Sequence, residues 1–390
     1  MLVLVQSPVV GDARVARQAR SLVDAGHRVT VVGRGVPASW TQVRALAGVE
    51  VLDVSRGSGL GSAAGAASTP AAVRAARWLL LPEHRARVEA AWCRSAAALV
   101  ARELERGPDR PVDVVHAHDL NTLALGASLA GRWGVPYVYD AHELWSDRGL
   151  PGRPTPVRGR RQTERETTLA LGAHAVLTVS DGIADVLRTR GLRRVLLLRN
   201  SFPLHEAVTP LPSTPGALVY AGRVGPGRDL PMLLAAAADD RVPGVLIMGQ
   251  ADDEFAARLR LPEGVQRLPA ADVDEVDEVY RRHGAAAITL QSGPRNHELA
   301  LPNKLFHAVR AGVPVVAADL PELRRVVERH DLGELYAPGD ADSLAAAAQR
   351  LVDRYPALLA SVAAAREELS WNRDSRVLTD LYAELDAGSR

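Results

Sequence analysis

Two doubly wound parallel sheets in an α/β chain are what this sequence predicts, and three observations predict them. Short apolar runs of Val, Leu and Ala are continuous rather than alternating, as in strands covered on both faces. Helical patterns fill the intervals between the runs. The rhythm breaks at Asn200–Thr214, where Pro203, Pro210 and Pro212 interrupt any regular element, and starts afresh beyond Pro215.

In the first half the candidate strands are Leu2–Gln6, Arg28–Val32, Val49–Val54, Val112–Ala117, Pro136–Asp140, His174–Val179 and Val195–Leu198. The first run has no basic segment before it and stops being apolar too early for a signal peptide, so it reads as a buried strand. Ala13–Ala25 carries a helical pattern and closes on Gly26, the residue type that suits a helix C-terminus. Gly57–Thr69, rich in Gly, Ser and Ala, reads as a mobile loop. Asp147–Arg161 is rich in Pro, Gly and Arg, lacks periodicity, and reads as a loop beyond the strand that ends at Asp140. In the second half strands are expected at Ala217–Ala221, Val245–Met248, Val265–Leu268, Ala285–Leu290 and Val313–Ala317, with helices at Asp229–Ala238 and Asn303–Ala311.

The composition suits a folded, soluble chain. Of 390 residues, 47% are apolar and 24% charged, and 47 basic against 46 acidic groups leave a net charge of +1. That balance offers no electrostatic case for a nucleic-acid partner. The single cysteine, Cys93, excludes an internal disulfide framework and a multi-cysteine zinc site. No apolar run approaches the ~20 residues of a membrane span, and a cytoplasmic, reducing location is expected. Lys304 is the one lysine of the chain. Aromatic residues make up only 4%, so the cores must be built from Val, Leu and Ala.

Open α/β sheets bind ligands at the carboxyl ends of their strands, so the residues after each strand are the ones to search. After Ala217–Ala221 comes Gly222-Arg223-Val224-Gly225-Pro226-Gly227-Arg228-Asp229. Glycines admit close backbone approach, and two arginines can grip an anion. The spacing is not G-x-G-x-x-G. The next strand ends Met248-Gly249-Gln250, without the acid that a dinucleotide ribose needs. After Ala285–Leu290 come Glu298 and then Leu301-Pro302-Asn303-Lys304-Leu305-Phe306-His307. Pro302 suits a helix start, whose free N–H groups and dipole can hold a diphosphate.

In the first half, His116-Ala117-His118-Asp119 ends one strand and Asp140-Ala141-His142-Glu143 ends the next. Three histidines and three acids therefore gather at neighbouring strand ends. Strand alternation is expected to turn His116 and His118 to opposite sides, which argues against a shared metal ion. A polar rim facing a sugar or phosphate is the expected use, with His116 alone a hydrogen-bonded structural residue.

Taken together these segments resemble the GT-B glycosyltransferases of the retaining family 4 type. The resemblance rests on Asp12-x-Arg14-Val15 with Ala25-Gly26-His27, His116-Ala117-His118-Asp119, Tyr139-Asp140-Ala141-His142-Glu143, Tyr220-Ala221-Gly222-Arg223, and Leu301-Pro302-Asn303-Lys304-Leu305-Phe306 with Ala311-Gly312-Val313-Pro314-Val315-Val316. It implies two Rossmann-like domains facing a cleft. The acceptor domain is 1–200, joined by a crossing helix at 366–390, and the nucleotide-sugar domain is 215–365. It implies Arg223 and Arg228 on the donor diphosphate, with Arg228 where such enzymes usually carry lysine. Pro302 and Asn303 hold the distal phosphate through their backbone. Gly222, Gln250 and Lys304 complete the donor site, Leu268 meets the base through its main chain, and Gly11 lets a ligand approach. His142 matches the family histidine near the transferred sugar, and His116, His118, Asp119 and Glu143 fall to the acceptor.

One departure is informative. The family usually has two glutamates eight positions apart near this helix start, the second of which accepts hydrogen bonds from the ribose hydroxyls. Here that position is His307, and eight residues earlier stands Leu299, with Glu298 one residue off as a stand-in for the first. A neutral histidine accepts one such bond, so ribose recognition should be weaker or different.

The expected reaction is transfer of a glycosyl group from a nucleoside diphosphate sugar to an acceptor without a cofactor, and the resemblance implies that it proceeds with retention. No Asp-x-Asp metal motif stands at a strand end, so arginines and a helix dipole are expected to replace a divalent cation. A small secondary-metabolite acceptor is expected, with membrane lipid or polysaccharide as the alternative. The lipid alternative rests on the basic, apolar stretch between Arg74 and Arg87. Two other functions share the fold: a nucleotide-sugar 2-epimerase, which needs no acceptor, and a non-catalytic relative without nucleotide affinity.

Overall fold

The structure, a computed structural model, describes residues 1–9, 12–35, 46–54, 71–105, 112–147, 156–204 and 209–388. Of residues 71–85 and 156–158 it describes the backbone alone. The chain divides into two compact units. The first holds Met1–Val179, Ile183–Leu198 and Ser375–Arg390, and the second holds Ser180–Gly182 and Arg199–Asp374. Residues 199–214 and 366–374 thus go with the second unit, where the sequence reading drew its boundary at 215 and 365.

The first unit is a seven-stranded parallel sheet of β1 (Leu2–Pro8), β2 (Val29–Arg34), β3 (Val49–Asp53), β4 (Val115–His118), β5 (Tyr137–Ala141), β6 (Ala175–Thr178) and β7 (Val195–Leu197). Its spatial order is β3-β2-β1-β4-β5-β6-β7. The second unit is a six-stranded parallel sheet of β8 (Ala217–Ala221), β9 (Val245–Met248), β10 (Gln266–Leu268), β11 (Gly284–Ile288), β12 (Val315–Ala318) and β13 (Gly333–Tyr336), in the order β10-β9-β8-β11-β12-β13. In both sheets the order reverses beside the first strand, at β1/β4 and at β8/β11. The crevice outside such a reversal is where doubly wound sheets take ligands.

Every strand expected from the sequence is present, and one more is found, β13. It is four residues long, lies at the edge of its sheet, and alternates buried Glu334 and Tyr336 with half-covered Gly333 and Leu335. A short alternating run with an acid inside it has no continuous apolar signature, and Glu334 is held there by Arg350 and Arg354, each at 2.7 Å. The loop expected over Asp147–Arg161 is helical from Pro156, where the helix Pro156–Ala170 begins. Proline at a first helical position is an ordinary start that the arginine-rich composition hides. The expected mobile loop 57–69 lies outside the described residues.

The last helix, Trp371–Gly388, starts on the second unit and ends on the first. Its beginning is pinned by Asp374, 97% buried, which accepts from Arg199 and from Ser201 Oγ. Its later part buries Tyr382 fully in the first unit. Arg74–Arg87 lies along the helix Ala71–Glu103, and most of its side chains are outside the described set. Among the described residues no helix is long and apolar enough to cross a membrane.

Candidate active site

In the first unit, parallel pairing of β4 with β5 sets His118 beside Asp140. Asp140 is fully buried, and its carboxylate is occupied on both oxygens. Arg14, from the helix Ala13–Asp24, donates Nε to Oδ2 at 2.9 Å and Nη2 to Oδ1 at 2.7 Å. Gln18, one turn further along that helix, donates to Oδ2 at 2.6 Å. Burial alone would raise the Asp140 carboxyl, but Arg14, His142 and hydrogen bonds from His116 and His118 outweigh it and hold it well below the usual carboxylate range.

His142 stands next to this pair. Its Nε2 lies 3.4 Å from Asp140 Oδ2, its Nδ1 lies 3.4 Å from Asp119 Oδ2, and its backbone N–H donates to Asp119 Oδ1 at 3.2 Å. Burial opposes a charge on the ring, yet Asp119 and Asp140 together push it up to about 9. Asp119 reaches His142 from a backbone with φ of +62°, unusual for a residue with a side chain, at the turn between β4 and its helix.

His116 and His118 correct the sequence reading. Their rings stack 4.6 Å apart at 12°, on one side of the strand. Residues two apart on a strand share a face; alternation separates immediate neighbours. Both are 99% buried, with His116 Nδ1 against the Tyr382 hydroxyl at 2.7 Å and His118 Nδ1 against His142 Nε2 at 2.8 Å. Burial, partly offset by Asp140, draws His118 down to about 3. Neither ring offers an atom to an acceptor, so they support the site from beneath. Asp119, His142 and Glu143 keep partly accessible side chains. His116, His118 and Asp140 lie close enough together to hold a metal ion. The donor set does not suit one: the single carboxylate already bears a bidentate guanidinium, beside which a divalent cation would be repelled. Gly11 lies outside the described residues.

In the second unit a cavity of about 740 Å³ opens at the ends of β8 and β9, between their loops and the helix Asn303–Ala311. The two strand ends approach so closely that a Cβ on Gly249 would sit 2.1 Å from the Gly222 carbonyl oxygen; only glycine fits. Gly222, Arg223, Arg228, Gln250, Pro302, Asn303, Lys304 and His307, all singled out from the sequence, line this one cavity. Leu268 and Glu298 do not. Ala270 and Ala271 form the wall where Leu268 was expected, because β10 ends at Leu268 and its side chain packs on the core.

The cavity is cationic. Pro302 caps the helix without a side-chain hydrogen bond; the Leu305 N–H donates to the Pro302 carbonyl, and those of Asn303 and Lys304 are left for a ligand. Lys304 is 92% buried, with Nζ 4.6 Å from the centre of the Tyr220 ring. Burial and then the neighbouring Arg228 charge push it down to about 7. Among the described residues neither Arg228 nor Lys304 has an ion-pair partner. Arg223 has one: its Nη2 lies 2.7 Å from Asp252, with 66% of the Arg223 side chain exposed.

Sequence reasoning missed Asp252 and Asp277. Asp277 is fully buried on the helix Val273–His283 and lies 3.0 Å from His307 Nδ1. The capping box at Asp272 and Glu275 marks that helix in the sequence, but nothing local marks its fifth residue as a partner for His307.

Comparison with known proteins follows the same division. Residues 11–201 match the model described as glycosyl transferase 4-like domain, and residues 215–354 match that of glycosyl transferases group 1. This chain is a GT-B glycosyltransferase of the family 4 type. A D-inositol 3-phosphate glycosyltransferase of Saccharomonospora viridis is 26% identical over 313 residues, 71% of each chain. One from Actinosynnema mirum is 27% identical over 332 residues, covering 75% of this glycosyltransferase and 77% of its own length. Among solved structures, Anabaena HepE in complex with UDP matches with a TM-score of 0.67 at 18% identity, over 99% of both chains. Sucrose-phosphate synthase from Thermosynechococcus elongatus matches at 0.70 and 16%, again over 99% of both. These likenesses establish the doubly wound, two-domain fold of the glycosyltransferase.

Proposed function

We propose that this enzyme transfers a glycosyl group from a nucleoside diphosphate sugar, with its diphosphate held in the second-unit cavity, to a small hydroxyl-bearing acceptor taken by the first unit. One observation carries the donor assignment. A helix start, Arg228 and Lys304 converge on a single cavity, and among the described residues neither cation has an ion-pair partner. UDP bound to HepE of the same fold and the inositol phosphate named for the relatives support a uridine donor and a small polar acceptor.

In the reaction the bond from the anomeric carbon to the diphosphate oxygen breaks, and its electron pair leaves with the diphosphate. The acceptor oxygen forms the new bond and gives up its proton. Charge therefore grows on the leaving oxygen. Arg223, Arg228, Lys304 and the N–H groups of Asn303 and Lys304 bind that charge better in the transition state than in the ground state. They supply the positive charge that a divalent cation supplies elsewhere, and turnover needs no added metal. Arg223 joins by exchanging Asp252 for phosphate. His142, kept cationic by Asp119 and Asp140, serves the reacting sugar. Retention of configuration belongs to the same reading.

A thermal-shift panel of UDP, GDP, TDP and ADP in EDTA tests the proposal. A nucleotide at 100 times its dissociation constant should stabilise the fold by about 2.7 kcal/mol. No shift with any of the four, or a shift that requires magnesium, defeats the donor assignment.

A further inference from the structure

Asp229 stands at the cap position of the helix Leu230–Ala236, yet its carboxylate does not cap that helix. An aspartate at such a position ordinarily accepts from an N–H of its own first turn. Here Oδ2 accepts instead from the Tyr336 hydroxyl and from the Gly339 N–H, each at 3.0 Å. Tyr336 ends β13, the edge strand, and Gly339 lies in the turn beyond it, so these partners are 107 and 110 residues along the chain.

The contact is closed to water. Asp229 is 97% buried and Tyr336 99%. Burial and then the Asp229 carboxylate raise the Tyr336 hydroxyl far above its ordinary value, so it keeps its proton and donates. The Asp229 backbone has φ of +53°, a region that a residue with a side chain keeps only where its surroundings hold it.

The preceding residue is Arg228, which lines the cavity and has no ion-pair partner among the described residues. A guanidinium without such a partner depends on its backbone for its aim. That backbone is tied on both sides. Before Arg228, the Gly227 carbonyl accepts from the Gln291 N–H at 3.1 Å, and after it comes the Asp229 anchor.

We infer that Asp229 is a positioning residue for the reaction: by binding Tyr336 and Gly339 it holds the backbone that aims Arg228 into the cavity. None of Asp229, Tyr336 and Gly339 lines that cavity, so β13 serves the anion site from outside it. This rests on Arg228 gripping the donor diphosphate as proposed above. Displacing such a group by about 1 Å can cost on the order of 100-fold in rate, so an anchor behind it matters.

The test is a double-variant cycle on the full chain, read by calorimetry of UDP. Arg228→Ala should weaken UDP roughly 10- to 100-fold, the loss of a charge-assisted contact. Asp229→Gly suits the left-handed backbone and removes the carboxylate; it should weaken UDP roughly 3- to 30-fold. In an Arg228→Ala background the same substitution should change binding by less than about twofold, because no guanidinium is left to misplace. Asp229→Asn keeps an acceptor oxygen and should bind UDP within about threefold of the parent. Tyr336→Phe removes one of the two bonds and should show the same dependence on Arg228, which decides the matter if Asp229→Gly does not melt cooperatively. Equal losses with and without Arg228, no loss in the parent background, or no recovery in Asp229→Asn overturn the inference. A parent that does not bind UDP, or an Arg228→Ala variant that binds it as the parent does, defeats the donor assignment itself. That result differs from an Arg228 that matters and an Asp229 that acts independently of it.

Discussion

The polar cluster at the ends of β4 and β5 and the cavity at the ends of β8 and β9 both lie at strand ends near the order reversal of their sheets, on opposite sides of it, and they are completed in opposite ways. In the first unit Arg14 meets Asp140 inside the protein, and His142 meets Asp119 and Asp140, so each cation already has its anion. In the second, Arg228 and Lys304 have none among the described residues. The first cluster is thereby a fixed polar scaffold, and its charges hold one another in place before any ligand arrives. The second is a site with its counter-charge missing, which only an external anion can supply. A cation that is part of the architecture and one that is reserved for a ligand are told apart by their partners, not by residue type.

Removing one member from each cluster should break the comparison most clearly. Arg14→Ala leaves Asp140 charged, buried and without its guanidinium, and should cost about 3–5 kcal/mol of stability in urea unfolding. Arg228→Ala removes a group with no ion-pair partner among the described residues. It should melt like the parent, yet its turnover with a sugar nucleotide should fall roughly 100-fold or more. A large loss of stability in Arg228→Ala, or none in Arg14→Ala, would erase the distinction.

The titrating groups sharpen it. Lys304, near 7 in the free protein, gains a proton when a diphosphate binds, because the added negative charge raises it. Binding above pH 7 should therefore take up as much as one proton, and affinity should weaken by up to about tenfold per pH unit above neutrality. Calorimetry of UDP in buffers of different ionisation enthalpy measures the uptake. His142 has the opposite sign relative to its unfolded state, since its folded value is raised to about 9 from 6.5. Its contribution to stability is present in full below about pH 6.5 and is lost as pH rises through 9, at no more than about 1.4 kcal/mol per pH unit. His142→Gln should flatten that part of the stability–pH profile in chemical denaturation. The smallest effect is expected at Asp252. It is paired with an Arg223 side chain that is 66% exposed, so Asp252→Ala should change stability by less than about 1 kcal/mol in the same denaturation assay.

Much of this was legible in the chain itself. Apolar runs specified twelve of the thirteen strands, most of them continuous because burial on both faces demands apolar residues at every position, whereas β3 and β10, at sheet edges, are only partly covered. Glycines and arginines after β8, and proline before the helix at Asn303, announced an anion site through local backbone chemistry. The histidine pair was misjudged for a reason inside the sequence: His116 and His118 share a face because the strand period is two. Their burial was a different matter. It depends on Tyr382, 266 residues further along, closing over His116.

The sequence by itself determined the periodicity of the elements, their order and the residue types at strand ends, because these follow from backbone geometry and nearby side chains. Only the tertiary structure decided which charges are paired. Gln18 reaches Asp140 across 122 residues, and His307 finds Asp277 across 30. Such partners leave no local signature, because a salt bridge or hydrogen bond depends on distance in space and on exclusion of water. Both are set when separate helices and strands converge on one sheet edge.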